Sequence, residues 1–325
     1  MSGPYYAGVD LGGTKIMAIV ADGEGKIVGD QRLPTQASKG AEHVIDRMVE
    51  ATRAAADEAG IALADVSAAG VSAPGPIDWQ HGVVTDPPNL PGWHDVPLTR
   101  LFSERSGLSS VLENDANCGA VGEHQFGAGR GYRHLIYVTI STGLGGGLII
   151  DNELYRGASG AAGELGHIIV ADDGAMCGAK HVGCMEAYAS GAGIAQRAQE
   201  LIDAGSMPRT ARIAEQKPPL SAESVHLAAQ AGETEAQAII DRAARYFGMG
   251  LATMINAFNP EIIVIGGGLT HIGDEYLAPA LEVARARSFE QPFQDVRIVE
   301  WELGERGTAL GALALARSRD RKDTN

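Results

Sequence analysis

The chain has 325 residues, with 26 Lys and Arg against 41 Asp and Glu, which gives a formal net charge of −15 at pH 7. At roughly 150 residues per domain, this length predicts about two domains. The acidic balance argues against a nucleic-acid partner, and no apolar run approaches the roughly 18 residues that span a bilayer. Because the first residues also lack a signal-peptide pattern, we expect a soluble cytoplasmic protein that binds neither nucleic acid nor a membrane.

Glycine and cysteine are the informative residue types. The 43 glycines are about 13% of the chain, against a usual share of about 7%. The 3 cysteines are too few for a disulfide scaffold. The positions of the glycines are therefore the first pattern to interpret.

The chain opens with a strand, a glycine turn and a second strand. Residues 6–10 and 15–20 are predicted strands, and Gly12 and Gly13 lie in the turn between them. A dinucleotide fold or a P-loop would place a helix after its glycines, and neither motif occurs here. Turns without Cβ atoms can bring backbone N–H groups close to phosphate oxygens. Alone, such a turn is more often a simple hairpin, and phosphate binding is favoured when a second turn of this kind occurs at a matching place.

The same pattern returns 131 residues later. A predicted strand at 136–140 is followed by the glycine-rich segment 141–147 and a strand at 148–150. This similarity predicts an internal duplication. We expect two packed lobes that meet near Asn117, with the active site in the cleft between them.

The remaining elements alternate between helices and strands, which predicts α/β layers. Helices are predicted at 41–58, 118–126, 187–204, 233–258 and 276–286, and strands at 67–71, 110–113, 261–265 and 296–300. We expect an exposed loop at 205–219 and a frayed tail at 317–325.

Polar residues cluster after the strand at 110–113. Asp115 and Asn117 are either helix N-caps or, for Asp115, a base that accepts the proton of an attacking hydroxyl. Glu164 and His167 suit the hydroxyls of a sugar, although a buried, hydrogen-bonded histidine is the alternative. Cys177 and Cys184 are compatible with a zinc site or with two buried free thiols.

In combination, these motifs resemble the ROK family of sugar kinases, which has the duplicated actin-like (ribonuclease H-like) ATPase fold. Within that family the sequence is most similar to bacterial glucokinases. The motifs are DLGGTK (10–15), PGPID (74–78), NLPGW (89–93), ENDAN (113–117), TGLGGG (142–147), GELGH (163–167), GCME (183–186) and GGG (266–268). The resemblance implies an α/β chain with a lobe over 1–116, on which a C-terminal helix at about 307–320 packs, and a larger lobe over 117–306.

The resemblance also implies an ATP- and Mg²⁺-dependent hexose kinase, with glucose as the substrate and Asp115 as general base on the sugar 6-hydroxyl. The implied sugar contacts are Asn89, Asn114, Asp115, Glu164, His167 and Glu186. The implied ATP contacts are Asp10, Gly12, Gly13, Thr14, Lys15, Thr142, Gly143, Gly145, Gly266 and Gly267, with Asp10 holding Mg²⁺ through water. A homodimer or homotetramer is the expected assembly.

One departure concerns the zinc loop of the family, Cys-x-Cys-Gly-x-x-Gly-Cys, which is completed by a histidine. Here the cysteine positions fall at Cys177, Ala179 and Cys184, so one ligand is missing beside His167. His181 is the candidate fourth ligand, and a loop held without metal is the alternative. Without zinc, His167 loses the partner that orients its ring.

Within the kinase class, fructokinase and N-acetylmannosamine or N-acetylglucosamine kinase activities stay open, as does polyphosphate as the donor. The alternative from another class is a sugar-sensing transcription regulator of the same family. Such regulators carry a DNA-binding segment ahead of the first glycine turn, and only seven residues precede Gly8 here. We therefore expect the enzyme.

Overall fold

The computed structural model describes residues 4–323. The strands are β1 (Tyr5–Leu11), β2 (Lys15–Asp22), β3 (Ile27–Pro34), β4 (Val66–Ala73), β5 (Ile77–Asp78), β6 (Val83–Val84), β7 (Ser110–Asn114), β8 (Leu135–Ile140), β9 (Leu144–Ile150), β10 (Glu153–Leu154), β11 (Ile262–Gly266) and β12 (Arg297–Glu300). The helices are α1 (Ala41–Glu58), α2 (Leu98–Ser106), α3 (Asp115–Phe126), α4 (Met185–Ala189), α5 (Gly191–Asp203), α6 (Pro208–Gln216), α7 (Ala222–Gln230), α8 (Thr234–Phe258), α9 (Asp274–Arg287), α10 (Glu290–Asp295) and α11 (Gly307–Asp323).

The chain forms two compact units. Unit 1 holds the residues up to 133, residues 147–162 and those from 301 onward, and unit 2 holds residues 134–146 and 163–300. The boundary predicted near Asn117 differs from this division, because α3 packs against α11 and both helices belong to unit 1.

The sheet of unit 1 has the strand order β3-β2-β1-β4-β7. Strands β1, β2 and β3 are antiparallel neighbours, whereas β1, β4 and β7 are parallel. Alternate side chains of β2 enter two different cores: Ile16 and Ala18 lie with residues of α1, and Met17 and Ile19 lie with residues of α11. Helices therefore cover both faces of this sheet, which is why its central strands are almost entirely buried.

The second five-stranded sheet repeats the same order with β10-β9-β8-β11-β12. Strand β8 is parallel to β11, and β11 is parallel to β12. The turn at 141–143 between β8 and β9 thus corresponds to the turn at 12–14 between β1 and β2. The predicted duplication is confirmed, and so is the α/β fold class.

Several predicted elements are confirmed. Helix α1 has the predicted bounds, and α8 begins one residue after its predicted start. No helix among the described residues is long and apolar enough to cross a membrane.

Three local predictions are wrong. The expected loop at 205–219 contains α6, which Pro208 begins and which buries Thr210. The expected single helix at 187–204 is interrupted by Ser190, whose extended backbone ends α4 and whose hydroxyl caps α5. The expected frayed tail is helical through Asp323, and residues 324–325 lie outside the described residues.

Candidate active site

Two carboxylates of unit 1 lie close enough to interact, at the ends of β1 and β7. The parallel register places Ser72 of β4 opposite Asp10, and the Ser72 hydroxyl donates a hydrogen bond to Asp10 at 3.0 Å. Asp115 is the first residue of α3. Desolvation, followed by the negative charge of Asp115, raises the pKa of Asp10 to about 7. A partly protonated carboxyl beside a second carboxylate is an arrangement that a cation would stabilise.

The backbone around Asp115 is fixed by helix capping. The N-cap is Asn114, whose side-chain oxygen accepts from the N–H groups of Ala116 and Asn117 at 3.0 and 3.2 Å. Oδ1 of Asp115 also accepts from the N–H of Ala116, at 2.8 Å. The alternative in which Asp115 or Asn117 is the N-cap is therefore wrong. Since the oxygen of Asn114 is used in capping, its amide NH₂ is the group that remains to bind a ligand.

The first glycine turn follows directly after β1. The N–H of Gly12 donates to the carbonyl of Lys15 at 3.0 Å, which closes the turn. A Cβ on Gly13 would lie 2.9 Å from the carbonyl oxygen of Asn89, so Asn89 packs on this turn. The ammonium group of Lys15 pairs with Glu305 at 2.9 Å. Thr14 and Lys15 are exposed.

In unit 2 the corresponding turn is exposed at Thr142 and Gly143. Its carbonyl groups at 141 and 142 accept hydrogen bonds from the first residues of α5. Gly145 is half-buried within β9, and Gly266 is buried at the end of β11. Gly267 has a φ of 94°, and a Cβ there would lie 2.3 Å from the carbonyl oxygen of Ile140. The backbone at Gly267 therefore packs against the last residue of β8, and this contact alone requires glycine.

The expected sugar contacts of unit 2 lie on two short segments. Glu186, on α4, accepts from the N–H of Leu144 at 3.3 Å. Nε2 of His167 lies 3.9 Å from the carboxylate of Glu164, whose side chain is 66% exposed. The imidazole therefore presents one nitrogen towards an exposed carboxylate.

The other ring nitrogen of His167 faces a cluster of possible metal ligands. Nδ1 lies 3.6 Å from Sγ of Cys177. One donor atom from each of His167, Cys177, His181 and Cys184 lies within 4.8 Å of the others. A tetrahedral zinc ion needs donors about 3.3 to 3.8 Å apart, so a movement of about 1 Å would complete the geometry. The Cys₂His₂ donor set fits zinc.

The loop geometry explains how His181 reaches this cluster. Lys180 has a φ of 66°, and its N–H donates to the carbonyl of Cys177 at 2.9 Å, while the N–H of Cys177 donates to the carbonyl of His181. This tight turn brings His181 next to His167, with ring centroids 5.5 Å apart. Desolvation, followed by the interaction with Cys177, raises the pKa of the Cys184 thiol to about 11.

A family model described as the ROK family matches residues 6–319. The chain belongs to the ROK family. A glucokinase from Streptomyces coelicolor is 36% identical to it over 96% of this chain and 98% of that protein. The structure of a ROK hexokinase from Thermus thermophilus has a TM-score of 0.85 at 34% identity, over 98% and 99% of the two chains.

A ROK glucokinase from Streptomyces griseus, solved in complex with glucose and AMPPNP, has a TM-score of 0.80 at 36% identity and covers 97% of this chain and 99% of that one. These likenesses establish the actin-like ATPase fold expected for a ROK protein.

The structure also reveals site residues that the sequence did not indicate. Ser72 bonds Asp10 only because β4 is parallel to β1. Glu113 is buried and pairs with Arg156, which comes from a distant segment of the chain. Glu113 lies within the ENDAN motif, which could have singled it out, whereas Arg156 carries no comparable signal.

Proposed function

We propose that this ROK protein is an ATP-dependent hexose kinase that transfers the γ-phosphoryl group to the 6-hydroxyl of glucose. The observation that carries the proposal is the interacting pair of Asp10 and Asp115, with a glycine turn at the end of the strand that carries Asp10. A base and a cation-binding carboxylate beside a phosphate-binding turn are the groups that phosphoryl transfer requires. The glucokinases among the relatives support glucose as the acceptor.

Asp115 is the general base in this proposal. The cap of Asn114 fixes its backbone at the start of α3, and its Oδ1 accepts a hydrogen bond from the N–H of Ala116. Asp115 accepts the proton of the 6-hydroxyl as that oxygen attacks phosphorus. The amide NH₂ of Asn114 and the side chain of Asn89 are proposed donors to other sugar hydroxyls.

The first turn is a proposed site for phosphate oxygens. Because the N–H of Gly12 closes the turn, the N–H groups of Gly13 and Thr14 are the candidates for this contact. Lys15 is a nearby cation. Mg²⁺, when bound with the nucleotide, neutralises charge on its phosphates, and Asp10 is the residue that would hold it, through water.

In unit 2 we assign phosphate contacts to Thr142, Gly143 and Gly145, and the adenosine to Gly266 and Gly267. Glu164, His167 and Glu186 are the proposed partners of sugar hydroxyls. The exposed carboxylate of Glu164 and the neighbouring imidazole suit hydroxyl donors and acceptors.

The decisive experiment replaces the base. In an ADP-release assay with glucose and MgATP, Asp115→Asn should lower kcat by about 10²- to 10⁴-fold, because general-base catalysis contributes roughly that factor. Glucose binding, followed by calorimetry, should stay within about three-fold, since Asn keeps the size of Asp. Asp57→Asn, at an exposed position of α1, is the matched control. Substantial activity in Asp115→Asn would contradict the assignment.

A panel of acceptors and donors tests the substrate. Glucose should give the highest kcat/KM among glucose, fructose, N-acetylglucosamine and N-acetylmannosamine, and ATP should exceed polyphosphate. A chain that binds sugars but transfers phosphate to none of them would favour the sensor alternative. Light scattering of the purified protein tests the homodimer or homotetramer that we also propose.

We further propose that His167, Cys177, His181 and Cys184 hold one zinc ion. The mutual distances of the donors and the Cys₂His₂ chemistry support this site, in which His181 takes the place of the cysteine absent at Ala179. Zinc bound to Nδ1 would fix the ring of His167 and leave Nε2 free for the sugar.

Cobalt substitution tests the ligand set independently of activity. The apoprotein loaded with Co²⁺ should show tetrahedral d–d bands and a charge-transfer band from two thiolate ligands. Ala179→Cys should raise the intensity of the charge-transfer band by about half, because it adds a third thiolate. His181→Ala should weaken Co²⁺ binding, whereas His94→Ala, at an exposed position, should not. If the protein contains no metal as purified, and added Co²⁺ gives none of these bands, the site is excluded.

A further inference from the structure

Arg156 makes a part-buried ion pair with Glu113, which lies near the end of β7. Its Nε–H donates to Oε2 of Glu113 at 2.6 Å. The side chain of Glu113 is 3% exposed and that of Arg156 is 24% exposed. Glu113 is followed directly by Asn114 and Asp115. An ion pair this buried is costly to form unless its geometry is well satisfied.

The carboxylate of Glu113 holds the backbone at this point. Its Oε1 accepts from the N–H of Asn114 at 3.0 Å and from the side-chain amide of Asn117, also at 3.0 Å. One oxygen therefore links the last residue of β7 to the first turn of α3, and Asp115 lies between these two contacts. A rotation of the Glu113 carboxylate would release both.

Arg156 is itself held by an aromatic ring. Its guanidinium lies 4.3 Å from the centroid of the Trp79 ring. The loop that follows Arg156 closes on itself through the N–H of Ala162, which donates to the carbonyl of Arg156 at 3.1 Å. At Gly160 a Cβ would lie 3.0 Å from Cδ1 of Trp79, so the loop also packs against this ring. The guanidinium and the loop that follows it therefore pack against the same ring.

Arg156 is also a cation among several carboxylates. Glu113, Asp10 and Asp115 all raise the pKa of the buried Cys118 thiol, after the larger effect of desolvation. The three acids therefore all lie close enough to Cys118 to interact with it. The positive charge of Arg156 offsets that of Glu113, its ion-pair partner.

We propose that Arg156 and Glu113 are positioning residues for phosphoryl transfer: stacked on Trp79, Arg156 fixes the Glu113 carboxylate, which holds Asn114 and Asp115 in the orientation that the reaction needs. The inference rests on the proposed kinase function. It adds a distant segment, residues 156–162, to the groups that determine the position of the base.

The test separates stability from catalysis by removing both charges together. In Arg156→Met, the unpaired Glu113 should lower the Tm, and kcat should fall on the order of 10- to 100-fold, as expected for a displaced catalytic group. In the double variant with Glu113→Gln, no charge is left unpaired and the Tm should return close to that of the wild type. Its kcat should stay at least about 10-fold low with the KM for ATP unchanged, because the clamp is still missing.

Arg156→Lys is the conservative variant. It keeps the charge, and therefore most of the stability, but lacks the planar group that bonds Glu113 while it stacks on Trp79. Its kcat should be intermediate. Arg53→Met, at an exposed position of α1, is the control for loss of an arginine.

A double variant that regains both the wild-type Tm and the wild-type kcat would show that the pair is only structural, and would overturn the inference. If the single Met variant does not fold, the double variant decides. Should the double variant also fail to fold, wild-type kcat in Arg156→Lys would overturn the proposal, and reduced kcat at unchanged Tm would support it. An inactive wild type would overturn the proposed function itself, which is a distinguishable result.

Discussion

Asp10 is a residue whose charge state depends strongly on the fold. Its pKa rises from the ordinary 3.8 to about 7, so the folded protein binds this proton more tightly than the unfolded chain does. The neutral carboxyl contributes stability that is fully present below pH 3.8 and is lost as the pH rises to about 7. A pKa that rises from 3.8 to about 7 corresponds to at most about 4 kcal/mol of stability. The loss is smaller than this limit, because Asp10 keeps some contact with water.

Asp10→Asn removes this titration while it keeps an oxygen for the Ser72 hydroxyl. In buffer without divalent cations, the variant should gain in free energy of unfolding relative to the wild type between about pH 4 and pH 7, and the difference should be constant at higher pH. Urea unfolding at a series of pH values measures it. A difference that does not depend on pH would mean that the pKa of Asp10 is not raised. Asp57→Asn, which removes an exposed carboxylate, is the control.

At this scale the sequence predicted residue types better than their partners. Asp115 could be singled out because acidic and amide residues follow an apolar strand within a motif. The cap by Asn114 could not be distinguished from caps by Asp115 or Asn117, since all three are good N-cap residues. The bonds of Ser72 and Arg156 depend on strand register and on a distant loop, which local sequence does not encode.

Among the elements, α11 lies unusually close to the sheet of unit 1. A Cβ on Gly70 of β4 would lie 1.8 Å from the carbonyl oxygen of Ala312, and one on Gly8 of β1 would lie 2.0 Å from that of Ala309. Both contacts are to helix backbone, which cannot move aside as a flexible side chain can. Glycine is therefore required for this packing, quite apart from any ligand.

Gly70→Ala should accordingly destabilise the protein by at least about 1 to 3 kcal/mol, the usual cost of overpacking, by forcing α11 away from β4. Chemical denaturation measures this free energy. Gly23→Ala is the matched control, because a Cβ there meets nothing within 4 Å, and it should change stability by less than about 0.5 kcal/mol. Equal stability of the two variants would show that α11 does not pack as closely as described.

Predictions of single elements succeeded where one amphipathic pattern ran without interruption. Helices α1 and α8 are long and periodic, and their bounds were predicted to within a residue. The break at Ser190 has no strong signal, because Ser is tolerated within a helix and the break depends on packing around α4 and α5. Helix α6 was missed because charges and nearby prolines suggested a loop, although Pro is favourable at the first position of a helix.

At the scale of the whole molecule, the internal duplication could be predicted from two similar glycine turns. The division into units could not be predicted in the same way. Unit 1 consists of three separate segments of the chain, whereas the predicted lobes were continuous ranges apart from the C-terminal helix. The resemblance to the family did imply that a C-terminal helix packs on the first lobe, and α11 packs on β1 and β4. The return of residues 147–162 to unit 1 had no signal in the sequence.

The net charge of −15 makes a further prediction for the proposed reaction. MgATP is an anion and glucose is neutral, so the long-range field of the protein opposes the approach of only one substrate. Raising the ionic strength from about 0.02 M to about 0.2 M shortens the Debye length to less than 10 Å and should raise kcat/KM for MgATP a few-fold. The value for glucose at saturating MgATP should change little, and this comparison is the internal control.

Two salts with different anions separate screening from competition by a particular ion at the phosphate turns. A fall of kcat/KM for MgATP with either salt would mean that nearby cations, among them Lys15, outweigh the net charge at the site. In that case Lys15→Gln should remove the fall, because the exposed ammonium group would be the charge that attracts the nucleotide. A rise that persists in this variant would instead support control by the acidic molecule as a whole.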